Sequence, residues 1–115
     1  MIINSFTFGL PPDTESPSTP TNLSATVNGG YNRLQWTAST DNVAVTGYKI
    51  WRGTTSGSYS LIDTTSGTGT LYDDCNYTRN VTYYYVVEAF DAAGNVSAFS
   101  NESSVRNRNN PAPCI

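Results

Sequence analysis

"RNVTYYYVVEAFDAAGNVS", residues 79–97, sets three tyrosines side by side and then runs into a Gly-Asn turn. Successive side chains on a strand point to opposite faces, so three adjacent aromatics cannot share one surface. Laid out as a strand, Tyr83, Tyr85, Val87 and Ala89 fall on one face, and Tyr84, Val86, Glu88 and Phe90 on the other. The first face is apolar and fits against a second sheet. The other carries a carboxylate and is expected to be half wet.

The rest of the chain supplies strands to pack against it. Short segments of alternating polarity run through "NLSATV" (22–27), "YNRLQWT" (31–37), "VTGYKIWRG" (45–53), "SYSLIDT" (58–64), "GTLYDD" (69–74), "VTYYYVVEAF" (81–90) and "NVSAFSNESSV" (95–105). Turn residues separate them, and "NGG" after the first is a hairpin signal. No stretch long enough for a helix has helical periodicity. The pattern predicts an all-β sandwich or barrel of seven strands. Ahead of it, "PPDTESPSTP" (11–20) holds four of the six prolines and reads as a semi-extended linker. Earlier still, Phe6, Phe8 and Leu10 alternate with Ser5, Thr7 and Gly9, the pattern of a half-buried strand. Such an arm suits either addition to another protein's sheet edge or folding back on its own domain.

At 115 residues the chain is one domain, 37% hydrophobic and only 13% charged, with a net charge of −3. An acidic chain without a basic stripe argues against nucleic acid. The absence of histidine removes the commonest general base and metal ligand. No apolar run is long enough to span a bilayer. The start, "MIINSFTFGLPP", lacks the positive charge and the apolar length of a signal peptide.

From Pro17 to Arg106 the sequence resembles a fibronectin type III domain of the variety common in bacterial extracellular and bacteriophage proteins. "PSTPTNLSA", "LQWTASTDNVAVTGYKIWR", "YDD" and "YYYVVEAFDAAGNVSAFS" carry the resemblance. It implies a seven-stranded, immunoglobulin-like sandwich over residues 21–106, with an extended N-terminal arm (1–10), the linker (11–20) and a C-terminal tail (107–115). It implies Trp36 as a core tryptophan, Tyr48 and Ile50 as an inward pair, and Tyr83 as a tyrosine corner bonded to backbone upstream. Tyr77 stands where the family usually has leucine, and Cys75 where a small residue is usual. The resembled topology also brings the tail to the end of the sandwich that holds Cys75, which leaves a Cys75–Cys114 bridge open, with two free thiols as the rival.

Asp73 and Asp74 are the only adjacent carboxylates. Neighbours on a strand diverge, so they cannot act as a glycosidase pair. No serine or cysteine has a histidine to activate it, so neither catalysis nor a cofactor is expected. In the resembled topology Asp41, Asn42, Asp91 and Asn95 lie on loops at one end and could converge on a hard cation, although turn stabilisation alone accounts for such residues. Trp51, Tyr84 and Phe90 point outward and could form an aromatic strip for sugars or a protein neighbour, or merely shield the sheet.

Two functions fit. The favoured one is a non-enzymatic attachment protein of a bacteriophage virion, as a capsid decoration or tail-associated subunit, anchored to other subunits through Phe6, Phe8 and Leu10. A lytic virus releases its proteins without secretion, which reconciles an extracellular-type surface with this N-terminus. The alternative is an accessory spacer or carbohydrate-binding module of a secreted bacterial carbohydrate-active enzyme. The corresponding partners are virion subunits or cell-surface glycans, and the location is the virion surface or the extracellular space.

Overall fold

The computed structural model describes residues 12–114, so Phe6, Phe8, Leu10 and the expected docking strand lie outside the described residues. The strands are β1 (Thr21–Asn28), β2 (Tyr31–Thr37), β3 (Val45–Thr55), β4 (Ser58–Thr64), β5 (Leu71–Asp74), β6 (Thr82–Asp91) and β7 (Ser103–Arg106). They form two antiparallel sheets, one of three strands ordered β1-β2-β5 and one of four ordered β4-β3-β6-β7. This is the expected all-β sandwich.

The tyrosine strand sits at its centre. Tyr83, Tyr85, Val87 and Ala89 face the other sheet and are buried, together with Tyr48 and Ile50 from β3 and Leu34 and Trp36 from β2. Register puts Tyr48 opposite Ala89, a large residue beside a small one, and Ile50 opposite Val87. The Trp36 ring meets Tyr48 edge-on, with centroids 5.1 Å apart, the arrangement their quadrupoles prefer. The Tyr83 hydroxyl accepts from the Thr78 amide at 2.9 Å, which is the expected corner.

The outer face of β6 is drier than its sequence suggests. Val86 and Glu88 are buried there, because Trp51, opposite Val86 on β3, lies across the sheet and donates its indole N–H to Glu88 Oε1 at 2.9 Å.

The last strand is shorter than its alternation implies. Residues 97–100 run beside β6 without joining its ladder, and two serines complete the bonding. The Ala89 amide donates to Ser97 Oγ and the Val87 amide to Ser100 Oγ. The Ser97 and Ser100 amides donate back to the carbonyls of Ala89 and Val87. Serines three apart cannot both sit on one face of a regular strand, so the chain bulges and uses hydroxyls where a ladder would use backbone.

The flanking segments lie on this body. In the stretch expected as a linker, Pro17 and Pro20 are buried. Ser18 and Thr40 exchange two bonds, Ser18 N to Thr40 O and Thr40 N to Ser18 Oγ. The tail is held as firmly. Asn107 is fully buried and donates to the carbonyls of Gly29 and Tyr31. The Ala112 amide donates to Gly30 O, and the Tyr77 hydroxyl donates to Asn109 O. Tyr77 therefore fills a core position and reaches the tail backbone with its polar tip, which leucine could not do. Cys75 and Cys114 are joined as a disulfide, with Cα atoms 5.5 Å apart.

Candidate functional site

At the end of the sandwich where β6 stops, three carboxylates meet. Asp91 is the last residue of β6, Asp41 lies in the β2–β3 loop, and Asp13 comes from the segment leading into β1. One oxygen of each lies within 4.8 Å of the others. The "DAAGN" turn sets Asp91 in place. Its Oδ1 accepts from the Ala93 and Asn95 amides and its Oδ2 from the Asn95 side chain. Burial opposes ionisation of Asp91, but the bonds from Asn95 and Ala93 prevail and hold its carboxyl below the usual range. Asn95 Nδ2 also donates to the Asp13 carbonyl, drawing the lead-in segment against the turn.

This differs from the expected set of Asp41, Asn42, Asp91 and Asn95. Asn42 is exposed, and Asn95 donates to Asp91 and braces it. Asp13 joins Asp41 and Asp91. Sequence reasoning missed it because it lies in a proline-rich stretch with no strand pattern, and nothing local shows that the stretch folds back.

The outward aromatics regroup as well. Trp51 packs against Phe99 at 5.5 Å and Phe99 against Tyr59 at 5.9 Å, whereas Phe90 lies under the Lys49 ammonium at 5.8 Å and Tyr84 stands opposite Gly53. The structure therefore separates Trp51 from Tyr84 and Phe90 as a stacking group and joins it to Phe99 and Tyr59. Glu102 braces this cluster, accepting from the Tyr59 and Ser56 hydroxyls and the Gly57 amide. Those donors hold its carboxyl below the usual range.

A shallow groove of about 420 Å³ opens beside the disulfide, lined by Asp63, Asp73, Asp74, Tyr31, Tyr72 and both cysteines. Its carboxylates are engaged. Asp73 makes a two-point ion pair with Arg33 at 2.9 Å, and Asp63 accepts from the Tyr72 hydroxyl. Asp74 turns inward to Arg52, Tyr85 and the Asn76 amide. The pair diverges as strand geometry requires.

No protein-family model matches the chain. Chitinase A1 of Niallia circulans is 44% identical over 95 residues, 82% of this chain and 13% of its own length. Exoglucanase B of Cellulomonas fimi is 41% identical over 102 residues, 88% of this chain and 9% of its own. The chain thus spans a small fraction of the curated relatives it matches. These relatives overturn the virion reading, together with its capsid and tail partners. That reading rested on the N-terminal residues, whereas the strand motifs, which make up most of the chain, match stretches of carbohydrate-active enzymes. Among solved structures, an Fn3-like protein from Clostridium thermocellum superposes with a TM-score of 0.66 at 33% identity, covering 81% of this chain and 95% of that one. The two-sheet sandwich, the tyrosine corner and this near-complete match agree: the chain belongs to the fibronectin type III-like family.

Proposed function

We propose that this chain is an accessory, non-catalytic module of an extracellular carbohydrate-active enzyme, acting as a spacer that holds neighbouring parts of that enzyme at a set distance. The observation that carries the reading is the similarity to a small part of both a chitinase and an exoglucanase. A segment shared by enzymes named for different polysaccharides suits a task common to both, such as spacing, better than recognition of one glycan. The engaged carboxylates of the groove agree, since an acid/base pair must face a substrate. The Cys75–Cys114 bridge suits an oxidising compartment.

A chimaera tests this. Residues 12–114 replace the matching 95 residues of chitinase A1. The chimaera is expected to hydrolyse chitin as its parent does, while the 115-residue chain alone releases no sugar from chitin, cellulose or starch. Sugar release by the isolated chain, or an inactive but folded chimaera, would overturn the proposal.

A further inference from the structure

Asp41 is the anomaly of the carboxylate cluster. Among the described residues, both its oxygens are shut off from solvent, each exposing under 1 Å², and neither has a hydrogen-bond partner. A buried carboxylate without donors is costly. Asp91, only 2% exposed, stands beside it, and Asp13 completes the group. Among the described residues the ion pairs are Arg33–Asp73 and Arg52–Asp74, so no arginine or lysine neutralises these three. Three converging acids with two unpartnered oxygens call for positive charge from outside the chain.

We propose that Asp13, Asp41 and Asp91 bind a calcium ion. The donor set is all oxygen and carries up to three negative charges, which suits a hard divalent cation rather than zinc or copper. Calcium tolerates irregular oxygen sets and completes its shell with carbonyls and water, whereas magnesium demands near-octahedral geometry and sheds water reluctantly. The ligands come from three separate places in the chain: the lead-in to β1, the β2–β3 loop and the end of β6. One ion would therefore pin the lead-in segment across the end of the sandwich. This holds whether or not the chain acts as a spacer.

Calorimetric titration of the chelator-stripped 115-residue chain with calcium chloride tests the site. One saturable ion per chain is expected, and at 10 mM calcium, roughly 10–100 times the dissociation constants of extracellular calcium sites, melting rises by about 5–10 °C. Magnesium at equal ionic strength gives a smaller rise. Asp41→Asn should weaken calcium binding at least tenfold while melting higher than the parent without metal, because it removes the unpartnered charge and reports that the fold is intact. Asp63→Asn, away from the cluster, should bind as the parent does. Absence of saturable heat, an equal response to magnesium, or unweakened binding by Asp41→Asn would each overturn the proposal.

Discussion

The Tyr85 hydroxyl on β6 donates to the Asp74 carboxylate on β5 at 2.5 Å, joining the two sheets by a polar contact inside the core. Arg52 Nη1 donates to the same carboxylate at 2.8 Å, and Asn32 Nδ2 donates to the Tyr85 oxygen at 2.9 Å. Burial and the adjoining Asp74 charge push the Tyr85 phenol far above its ordinary value, so it stays a donor. Tyr85→Phe keeps the ring but leaves Asn32 without its acceptor and Asp74 short of one donor. Buried groups stripped of a partner cost about 1–3 kcal/mol. Urea unfolding should show the midpoint falling with the slope unchanged. An unmoved midpoint would mean the network contributes nothing.

The neighbouring hydroxyl gives a smaller effect. Tyr83 accepts from the amide of Thr78, which is exposed, so water can replace the lost acceptor. Tyr83→Phe is expected to cost about 0.5–1.5 kcal/mol, less than Tyr85→Phe. The reverse order would show that the corner, not the inter-sheet network, holds this end of the domain.

Both faces of β6 follow from strand periodicity, but only the inner one was legible in full. Tyr83, Tyr85, Val87 and Ala89 face inward because alternation is local. The fate of Val86 and Glu88 depends on Trp51, whose reach across the sheet no local pattern encodes. The bond between Asp74 and Tyr85 was hidden for the same reason: it is a matter of inter-sheet register. Asp13 and Asn107 were the least legible. Both lie outside the strand pattern: Asp13 is placed by a bond from the distant Asn95 side chain to its carbonyl, and Asn107 by two side-chain bonds to the carbonyls of Gly29 and Tyr31.

The two glycines of "NGG" separate turn geometry from tail docking. Gly29 has a φ of +56° and open space where a Cβ would stand, so Gly29→Ala costs only backbone strain, about 1–2 kcal/mol. At Gly30 a Cβ would meet the Ala112 nitrogen at 2.5 Å and the Asn110 oxygen at 2.9 Å. Gly30→Ala must push the tail away and lose the Ala112–Gly30 bond, for about 1–3 kcal/mol. In a chain ending at Arg108 the Gly30 substitution should cost little, while the Gly29 cost persists. Equal Gly30 costs in both backgrounds would show that the tail does not rest there.

Glu102 should contribute to the acid limb of stability. The Tyr59 and Ser56 hydroxyls hold its carboxyl below the ordinary range. A depressed folded-state value means the contribution is present above the unfolded pKa and is lost as pH falls through the folded one. Glu102→Gln should therefore flatten the loss of melting temperature below about pH 4.3, the ordinary glutamate value. A mutant curve parallel to the parent's would show that these hydroxyls do not favour the ionised form.

The tail's attachment has two components, and reduction separates them. Residues 107–112 are held by hydrogen bonds from Asn107, Tyr77 and Ala112, whereas Cys114 is held by its bond to Cys75. The bridge closes a loop with a sequence separation of 39, for which chain entropy gives about 4 kcal/mol relative to the open chain. Denatured, unreduced protein should present no reactive thiols. Reduction should lower stability by about that amount, and a Cys75→Ser, Cys114→Ser double variant should match the reduced parent. Because the hydrogen bonds remain, the reduced tail should still dock, and Gly30→Ala should still destabilise the reduced protein. Two reactive thiols in the unreduced chain would show the cysteines are free, and a reduced chain indifferent to Gly30→Ala would show that the bridge alone holds the tail.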